Sequence, residues 1–332
     1  MAITDIVVPG LRRNHLPEQP LVAGHRAAAT TVAWPAWGTT ASVTVDDPAA
    51  LTVARRIVSR QIAAAEKAAA RFRSDAELHK LYRAGGSPVT VSPLLAELVA
   101  ASLAVAMRTD GDIDPTVGAA MNAVGSVGRD RSHLPVCGSR PTGGRPAAGW
   151  EQVRLEGRKL QVPAGTTLDL SATAKAAVCD MAAARVRERV DAGVLVRLGG
   201  NVASAGPAPE QGWRVLIEDR DGDLTTQIHL PAGAALSTSR IAVLPERHRD
   251  ARVTHLIDPH TGEMPLPVWR MVSAIGFTCL EASTYSTASL VRGTRARSWL
   301  TQLWVPARLI TVADDELLSG NWAAHTTPPN PS

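Results

Sequence analysis

Cysteine and lysine are both scarce in this chain of 332 residues. The three cysteines, Cys137, Cys179 and Cys279, are far apart and form no Cys-x-x-Cys pair. This spacing argues against a zinc knuckle or a thioredoxin-like site, and the odd number argues against a disulfide framework. Only four of the 35 basic residues are lysines, so the choice of lysine at any one position is informative.

Long apolar runs and blocks of like charge are also missing. The best apolar stretch, residues 94–107, is too short to cross a bilayer and contains Glu97. The net charge is only +4 and no run of Lys or Arg stands out, so nucleic-acid binding is not expected. The N-terminal segment has no apolar core of the signal-peptide kind. We therefore expect a cytoplasmic protein without a membrane segment.

Hydrophobic periodicity and turn residues predict an α+β fold. Helices are predicted over residues 47–72, 93–108, about 171–191 and 281–291, and strands over residues 42–45 and 194–198. Two hairpins are predicted, over residues 151–163 and 213–231, and a loop over residues 128–149. No βαβ series with a glycine-rich fingerprint occurs, which argues against a Rossmann fold. We expect a loose arm over residues 1–30, one domain over 31–316 and a disordered tail over 317–332.

The segment LDLSATAKAAVCD, residues 168–180, places a lysine where lysine is unfavourable. A strand delivers Asp169, a helix begins near Ser171, and Lys175 falls in the first turn of that helix. The helix dipole disfavours a cation there, which suggests a nearby anion such as a carboxylate or a phosphate. A solvated lysine or an ion pair with Asp169 would explain the pattern equally simply.

The segment THLIDPHTGEMP, residues 254–265, is a strand end followed by a turn. A histidine in such a position, here His255, can take part in proton transfer. The Asp258–Gly262 stretch is also a good turn in its own right. His255 and His260 without further ligands do not define a metal site.

Three further segments carry weaker signals. Gly199, Gly200 and Asn201 follow a buried strand and allow either close backbone approach to a ligand or a plain tight turn. Asp114 lies in DGDIDPTVG, where it is placed to cap a helix. The segment ALSTSR, residues 235–240, ends a strand in three hydroxyls and an arginine.

Taken in order, these segments resemble the ApbE family of FAD:protein FMN transferases. The succession is WGTTASVTV, RSDAELHKLYRAGGSPVTVS, DIDPTVGAAM, LDLSATAKAAVCD, LGGNVASAG, STSR, HLIDPHTGEMP and STYSTASLVRG, over about residues 33–293. The family shows an early Gly-Thr, then FDPTVG, DLGGIAKG, a GGD-type turn, TSG, HIIDPRTG and DALSTA. HLIDPHTG is the most specific single match.

The resemblance implies a fold of mixed and antiparallel sheets with flanking helices, and FAD in a cleft between two lobes. It implies an enzyme that uses Mg²⁺ and moves FMN from FAD onto a Ser or Thr hydroxyl of an acceptor flavoprotein, with release of AMP. The acceptor would carry an FMN-binding domain. The protein itself would be a monomer or a homodimer.

The resemblance also assigns roles to residues. It implies His255 for proton transfer, Asp258 for holding the turn and Lys175 for meeting phosphate charge. The cofactor-binding residues that it implies are Gly38, Thr39, Asp114, Thr116, Lys175, Gly199, Gly200, Asn201, Thr238, Ser239 and His255. The metal ligands that it implies are the Ala174 carbonyl, Ser283 and Thr287.

The chain departs from the family pattern at several of these positions. Trp37 replaces a Met, Ser171 and Ala172 replace a Gly pair, Ala176 replaces a Gly, and Arg240 replaces the Gly of TSG. Ser283 stands where the family has a metal-binding Asp, and a hydroxyl is a poorer Mg²⁺ ligand than a carboxylate. Two alternatives therefore stay open: a hydrolase that splits FAD into FMN and AMP, and an FAD-binding protein without catalysis.

Overall fold

The computed structural model describes residues 6–8, 29–71, 73–123, 146–217, 226–243, 252–253 and 256–326. Within these ranges the α-helices are α1 (Leu51–Ala69), α2 (His79–Arg83), α3 (Pro93–Thr109), α4 (Gly118–Ala123), α5 (Ala174–Arg187), α6 (Cys279–Arg292) and α7 (Ala296–Gln302). The first eight strands are β1 (Ile6–Val8), β2 (Thr30–Ala36), β3 (Thr39–Val45), β4 (Val89–Thr90), β5 (Arg154–Glu156), β6 (Lys159–Gln161), β7 (Val194–Leu198) and β8 (Asn201–Ala205). The others are β9 (Trp213–Ile217), β10 (Thr226–Leu230), β11 (Ala235–Arg240), β12 (Ala242–Val243), β13 (Arg252–Val253), β14 (Trp269–Gly276), β15 (Ala307–Thr311) and β16 (Glu316–Ser319).

A central antiparallel sheet organises these elements. Its strand order is β16-β15-β14-β11-β8-β7-β3-β2, and every neighbouring pair is antiparallel. Smaller sheets have the orders β1-β9-β10, β4-β6-β5 and β12-β13. Helices combined with largely antiparallel sheets confirm the predicted α+β class.

Helices α1 and α5 cover the sheet on the side of β3, β7 and β8, while α6 packs on β11 and β14. The largest core cluster includes Val43, Val58, Val178 and Val196, each with no exposed surface. Burying such a side chain fully contributes about 1.5–3 kcal/mol. This apolar packing fixes the strand ends and helix starts that carry the candidate site.

Local caps explain where the helices that border the site begin and end. The Ser92 hydroxyl accepts the Leu95 N–H at the start of α3, and the Thr278 hydroxyl accepts the Glu281 N–H at the start of α6. Helix α3 ends at Asp110, which is left-handed (φ 55°), and Gly111 continues with φ 80°. Glycine adopts such angles without strain, and the chain turns sharply into the segment 112–118.

Most elements expected from the sequence are present. The β5–β6 hairpin turns at Gly157, β7 has the expected bounds, and α3 extends the expected helix by one residue. The first expected helix opens as a 3-10 turn, Pro48–Ala50, in which Asp47 accepts the Ala49 N–H. The loop predicted over residues 128–149 lies outside the described residues up to 145.

The expected domain bounds need two corrections. Residues 6–8 of the predicted arm form β1, which pairs in parallel with β9, while residues 9–28 lie outside the described part. The predicted tail begins too early at 317, because β16 continues to Ser319 and Trp322 is buried. An indole that can enter the core outweighs the polar composition of the residues around it.

Candidate functional site

Hydrogen bonds fix the side chain of Asp114 in the segment that follows α3. Its Oδ1 accepts hydrogen bonds from the backbone N–H and the hydroxyl of Thr116, both at 2.7 Å. Its Oδ2 accepts the Trp150 N–H at 3.1 Å. Burial raises the pKa of the Asp114 carboxyl, although the three hydrogen bonds oppose the rise. The predicted capping role is confirmed, with a 3-10 turn, Pro115–Val117, as the capped element.

The segment around Asp169 docks against that turn. The Asp169 N–H donates to the Pro115 carbonyl at 2.7 Å, and the Gly118 N–H donates to the Thr167 carbonyl at 3.0 Å. A Cβ at position 118 would lie 2.5 Å from that carbonyl oxygen, so only glycine permits the close approach. The buried Asp169 carboxylate pairs with Arg71, with 3.1 Å between Oδ2 and Nε.

Lys175 is the second residue of α5, as the sequence predicts. Burial lowers the pKa of its ammonium group, while the charge of Asp169 raises it. The interpretation of Lys175 as a freely solvated lysine is therefore wrong. No described carboxylate forms an ion pair with it, so a half-buried lysine stands at a helix N-terminus, where an anion from outside would be favoured.

A third segment, residues 256–259, closes a small cavity of about 30 Å³ against the first two. The lining residues include Asp112, Asp114, Pro115, Asp169, Ser171, Ala172, Thr173, Leu256, Ile257 and Pro259. We call Asp112, Asp114 and Asp169 the acidic side of this cavity. A space of this size holds about one water, so a dinucleotide would lie along its rim or displace the lining side chains.

The turn after Ile257 has the predicted geometry. The Gly262 N–H donates to the Asp258 carbonyl at 2.8 Å, and Gly262 has φ 72°. Asp258 Oδ1 accepts the His260 N–H at 2.9 Å, which fixes the turn from inside. His255 lies just before Leu256 and outside the described residues, so its proposed role stays a prediction.

The two predicted glycines bring three segments of the sheet together. Gly199 has φ 62°, and a Cβ there would lie 3.0 Å from the Thr39 hydroxyl. A Cβ at Gly200 would lie 2.4 Å from the Thr238 carbonyl. The Gly38–Thr39 turn, the Gly199–Gly200 turn and β11 are thus in direct contact, and glycine is required at 199 by its positive φ and at 200 by close approach.

A network of neutral hydroxyls joins β11 to α6. The Ser239 hydroxyl lies 2.9 Å from the Ser286 hydroxyl and 2.8 Å from the Thr287 hydroxyl. Ser286 also contacts Ser237, whose hydroxyl donates to the Asn201 side-chain oxygen at 3.0 Å. We call Ser237, Ser239, Ser283, Ser286 and Thr287 the hydroxyl cluster.

Thr238 does not belong to this cluster. Side chains alternate along a strand, so Thr238 faces the other side of β11, where its hydroxyl lies 2.8 Å from that of Ser273. A contact between Thr238 and a cofactor would have to come from its backbone.

The predicted metal ligands do not form a cation site of the expected kind. Ser283 and Thr287 lie one turn apart on α6, and the Ser283 hydroxyl donates to the Ala172 carbonyl at 3.3 Å. With the Ala174 carbonyl they offer no negative charge, whereas Mg²⁺ in proteins is usually held by one or two carboxylates. In the described ranges no group of three or more His, Cys, Asp or Glu is arranged to hold a metal ion. These residues therefore do not fit a protein-held Mg²⁺.

Several residues at the site were not singled out in the sequence. Arg71 and Arg292 come from distant segments, and nothing local marks them as partners of Asp169 and Asp112. Asp112 itself has a signal, since it stands two residues before Asp114 in an acidic, proline-containing turn. Ser286 lies between the two predicted α6 positions, Ser283 and Thr287.

Comparison with known proteins places most of the chain in one group. The family model described as "ApbE family" matches residues 37–309. A FAD:protein FMN transferase of Salmonella typhimurium is 30% identical over 223 residues, which cover 63% of this chain and 62% of that protein. A FAD:protein FMN transferase of Klebsiella pneumoniae is 26% identical over 259 residues, covering 74% and 73%.

Solved structures share the fold. The apo flavinyl transferase ApbE of Pseudomonas stutzeri has a TM-score of 0.75 at 21% identity, covering 90% of this chain and 96% of its own. The ApbE protein of Thermotoga maritima has a TM-score of 0.77 at 21% identity, covering 90% and 100%. In the described part of this chain, no helix combines the length and apolar character needed to span a membrane.

Proposed function

The chain belongs to the ApbE family, and from that membership we propose that it is a transferase that moves FMN from FAD onto a Ser or Thr hydroxyl of an acceptor flavoprotein. The observation that carries the proposal is the meeting of three family segments at one cavity. DIDPTVG, LDLSATAK and LIDPHTG are separated by some fifty residues or more, and each contributes to the lining.

The proposed reaction breaks the phosphoanhydride bond of FAD and forms a phosphoester bond to the acceptor. The acceptor oxygen forms a bond to the FMN phosphorus, the bond between that phosphorus and the bridging oxygen breaks, and AMP leaves with the electron pair. The proton of the acceptor hydroxyl passes to His255, and Lys175 meets the phosphate charge. Such a reaction depends mainly on positioning and on electrostatic stabilisation. Asp258 holds the turn that follows His255.

FAD would lie along the strand ends and the acidic side of the cavity. The residues that we propose to contact it are Gly38, Thr39, Asp114, Thr116, Lys175, Gly199, Gly200, Asn201, Thr238, Ser239 and His255. The close contacts between the Gly38–Thr39 turn, the two glycines and β11 support this proposal, because they form one continuous edge.

In this proposal, binding of Mg²⁺ depends on bound FAD. The resemblance implies Mg²⁺ on the Ala174 carbonyl, Ser283 and Thr287, but these donors are neutral. Any Mg²⁺ at this site would take its negative ligands from the FAD phosphates, and we derive no step of the reaction through it.

Transfer is tested by mass spectrometry of an acceptor. The purified protein is incubated with FAD, Mg²⁺ and a flavoprotein that carries an FMN-binding domain, and we expect the acceptor to gain the mass of one FMN as AMP appears. Release of AMP without that gain would show a hydrolase instead. Persistence of bound FAD would show a binding protein without catalysis.

A His255→Ala variant separates chemistry from binding in the same assay. A proton-transfer group acts mainly in the transition state, so we expect transfer to be abolished while FAD affinity stays largely intact. A matched variant, His229→Gln, changes a histidine on β10 that bonds to Gln227 and the Gln211 carbonyl, and it should transfer FMN normally. Near-normal turnover by His255→Ala would show that another group moves the proton.

The partner follows from the same proposal. The partner is the acceptor flavoprotein, and we propose no nucleic-acid partner. A cytoplasmic location and a monomeric or homodimeric state stay predictions from the sequence.

A further inference from the structure

A series of three ionisable side chains, Arg292, Asp112 and His260, meets at the outer edge of the cavity. Asp112 pairs through Oδ2 with Nε of Arg292, at the end of α6. Its other oxygen, Oδ1, lies 3.5 Å from Nε2 of His260, in the turn that follows the third cavity segment. One carboxylate thereby connects the loop after α3, the end of α6 and the Asp258–Gly262 turn.

The Asp112–Arg292 ion pair is the more constrained part of this series of side chains. Asp112 is only 5% exposed, and Arg292 also donates to the Thr109 carbonyl at 3.2 Å. The guanidinium stacks on the ring of Trp299, 4.0 Å from its centroid. A buried pair supported in this way stays in place, because separating it would leave an uncompensated buried charge.

The contact between His260 and Asp112 is the less constrained part of the series. The His260 side chain is 54% exposed, and its ring lies over Gly111, where a Cβ would be 3.6 Å from Cε1. Among the described residues, the charged groups near it are Asp112 from the α3 loop, with Arg292 behind that carboxylate, and Asp258, which accepts the His260 backbone N–H. An imidazole attracts Asp112 as an ion only when it is protonated, and histidine is the side chain whose ordinary charge change falls between pH 5 and 8.

We propose that Asp112 is a positioning residue that holds the Asp258–Gly262 turn against the cavity through His260, and that this hold weakens as His260 loses its proton. The turn carries Pro259 into the cavity lining, next to Ile257, and begins three residues after His255. A looser turn therefore places both the lining and the proposed proton-transfer residue less accurately. This consequence rests on the proposed function, whereas the hold itself does not.

Amide hydrogen exchange of the free protein tests the hold directly. Exchange of a peptide covering residues 258–263 is measured from about pH 5.5 to pH 8, corrected for the intrinsic pH dependence of exchange. We expect protection in the wild type to fall about two- to five-fold over this range, the size expected for a partly exposed ion pair. His260→Arg should keep its protection throughout, since arginine stays charged, and His260→Gln should be weakly protected throughout.

Two controls make the result specific. Strand β7, remote from any histidine in sequence, should show no change with pH, and His229→Gln should behave like the wild type at the turn. Asp112→Asn should also flatten the pH dependence, but it leaves Arg292 unpaired, so the His260 variants decide the outcome if it fails to fold. Constant protection in the wild type, or a His260→Arg variant that follows the wild type, would overturn the proposal.

FAD affinity at the same pH values gives a second, functional readout. We expect the dissociation constant of the wild type to rise about two- to five-fold with pH and that of His260→Arg to stay constant. If FAD binds to none of the variants, the proposed function fails while the exchange data still decide whether Asp112 holds the turn. If FAD binds and its affinity is independent of pH in the wild type, the contact between Asp112 and His260 does not affect FAD binding.

Discussion

The acidic side of the cavity and the hydroxyl cluster are neighbours that hold their polar groups in opposite ways. On the acidic side each carboxyl group has its own partners: Arg292 for Asp112, backbone N–H groups for Asp114, and Arg71 for Asp169. In the hydroxyl cluster the groups are neutral and share partners, so that Ser239 bonds to both Ser286 and Thr287. The two regions meet where the Ser283 hydroxyl bonds to the Ala172 carbonyl.

This difference predicts different responses to change. A charged group with its own partners leaves a buried counter-charge behind when it is removed, whereas a shared hydroxyl leaves neighbours that can bond to each other. It also explains why a divalent cation is not supported on the hydroxyl side, where the charge that a cation needs is missing. The predictions below test that contrast from its largest expected effect to its smallest.

The largest effect is expected for Lys175→Ala, which removes the half-buried lysine next to Asp169 of the acidic side. Loss of a charge-assisted contact to phosphate should weaken FAD binding about 10- to 100-fold and slow transfer as well. The thermal midpoint of the free protein should not fall, because burial lowers the pKa of Lys175 and so opposes its charge in the folded state. Calorimetric FAD titration and thermal unfolding measure the two effects.

The matched control for that experiment is Lys67→Ala. Lys67 is an exposed lysine in the last turn of α1, so its loss should leave FAD affinity unchanged. Unchanged affinity in Lys175→Ala would show that the lysine contacts no phosphate. A lower thermal midpoint without FAD would show that its role is structural.

The second prediction concerns the carboxylate that anchors the helix of the hydroxyl cluster. Asp180 accepts the N–H groups of Cys279 and Leu280, at 2.7 and 2.9 Å, at the start of α6. Burial nevertheless raises its pKa from 3.8 to about 6. The folded state thus favours the protonated acid, so the stability from this group is fully present below pH 3.8 and is lost as the pH rises through about 6.

Asp180→Asn should remove that pH dependence. The stability of the wild type relative to the variant should fall by at most about 3 kcal/mol between pH 4 and pH 7, the value that corresponds to the rise in pKa. Urea unfolding at several pH values gives the comparison. A relative stability that increases with pH would mean that the two amide hydrogen bonds outweigh burial.

Sequence patterns predict the fold well where one element dictates its own structure. Strand β7 has the expected bounds because a mainly apolar segment is buried on both faces, and the β5–β6 turn follows from its glycine. The C-terminal part was predicted wrongly, since nothing local shows that Trp322 enters the core. Tertiary contacts made by one large side chain decide such cases.

The candidate site also has a part that the local sequence predicts and a part that it does not. Asp114 and the Asp258–Gly262 turn are stabilised by hydrogen bonds within a few residues, so their composition predicts them. The arginines that pair with the acidic side come from the turn after α1 and from the end of α6, and only the folded structure brings them to Asp169 and Asp112. Local sequence therefore indicates which carboxylates matter but not which cations hold them.

The third prediction places a charge in the hydroxyl cluster. Ser283 is 5% exposed, so Ser283→Asp buries a carboxylate that costs stability without a counter-ion. We expect a lower thermal midpoint than in the wild type, restored in part by millimolar Mg²⁺, whereas the wild-type midpoint should not respond to Mg²⁺. Half-maximal transfer should also need less Mg²⁺ in the variant.

Ser283→Asn is the control for this experiment, because asparagine has nearly the same shape as aspartate but carries no charge. Its thermal midpoint should not depend on Mg²⁺. If Ser283→Asp and Ser283→Asn respond alike, position 283 is not next to a bound cation, and the metal assignment for Ser283 and Thr287 fails.

The smallest effect is expected inside the hydroxyl cluster, for Ser286→Ala. Ser286 has no exposed surface, so it cannot touch a ligand, and Ser239 keeps its bond to Thr287 when Ser286 is lost. We expect a loss of about 1 kcal/mol in the free energy of unfolding and no change in FAD affinity. Ser289→Ala is the matched control, since that buried hydroxyl bonds only within α6, to the Tyr285 carbonyl, and should cost less. A loss well above that of an ordinary hydrogen bond, or weaker FAD binding, would show that the cluster behaves like the acidic side, with each hydroxyl fixed by partners that nothing else replaces.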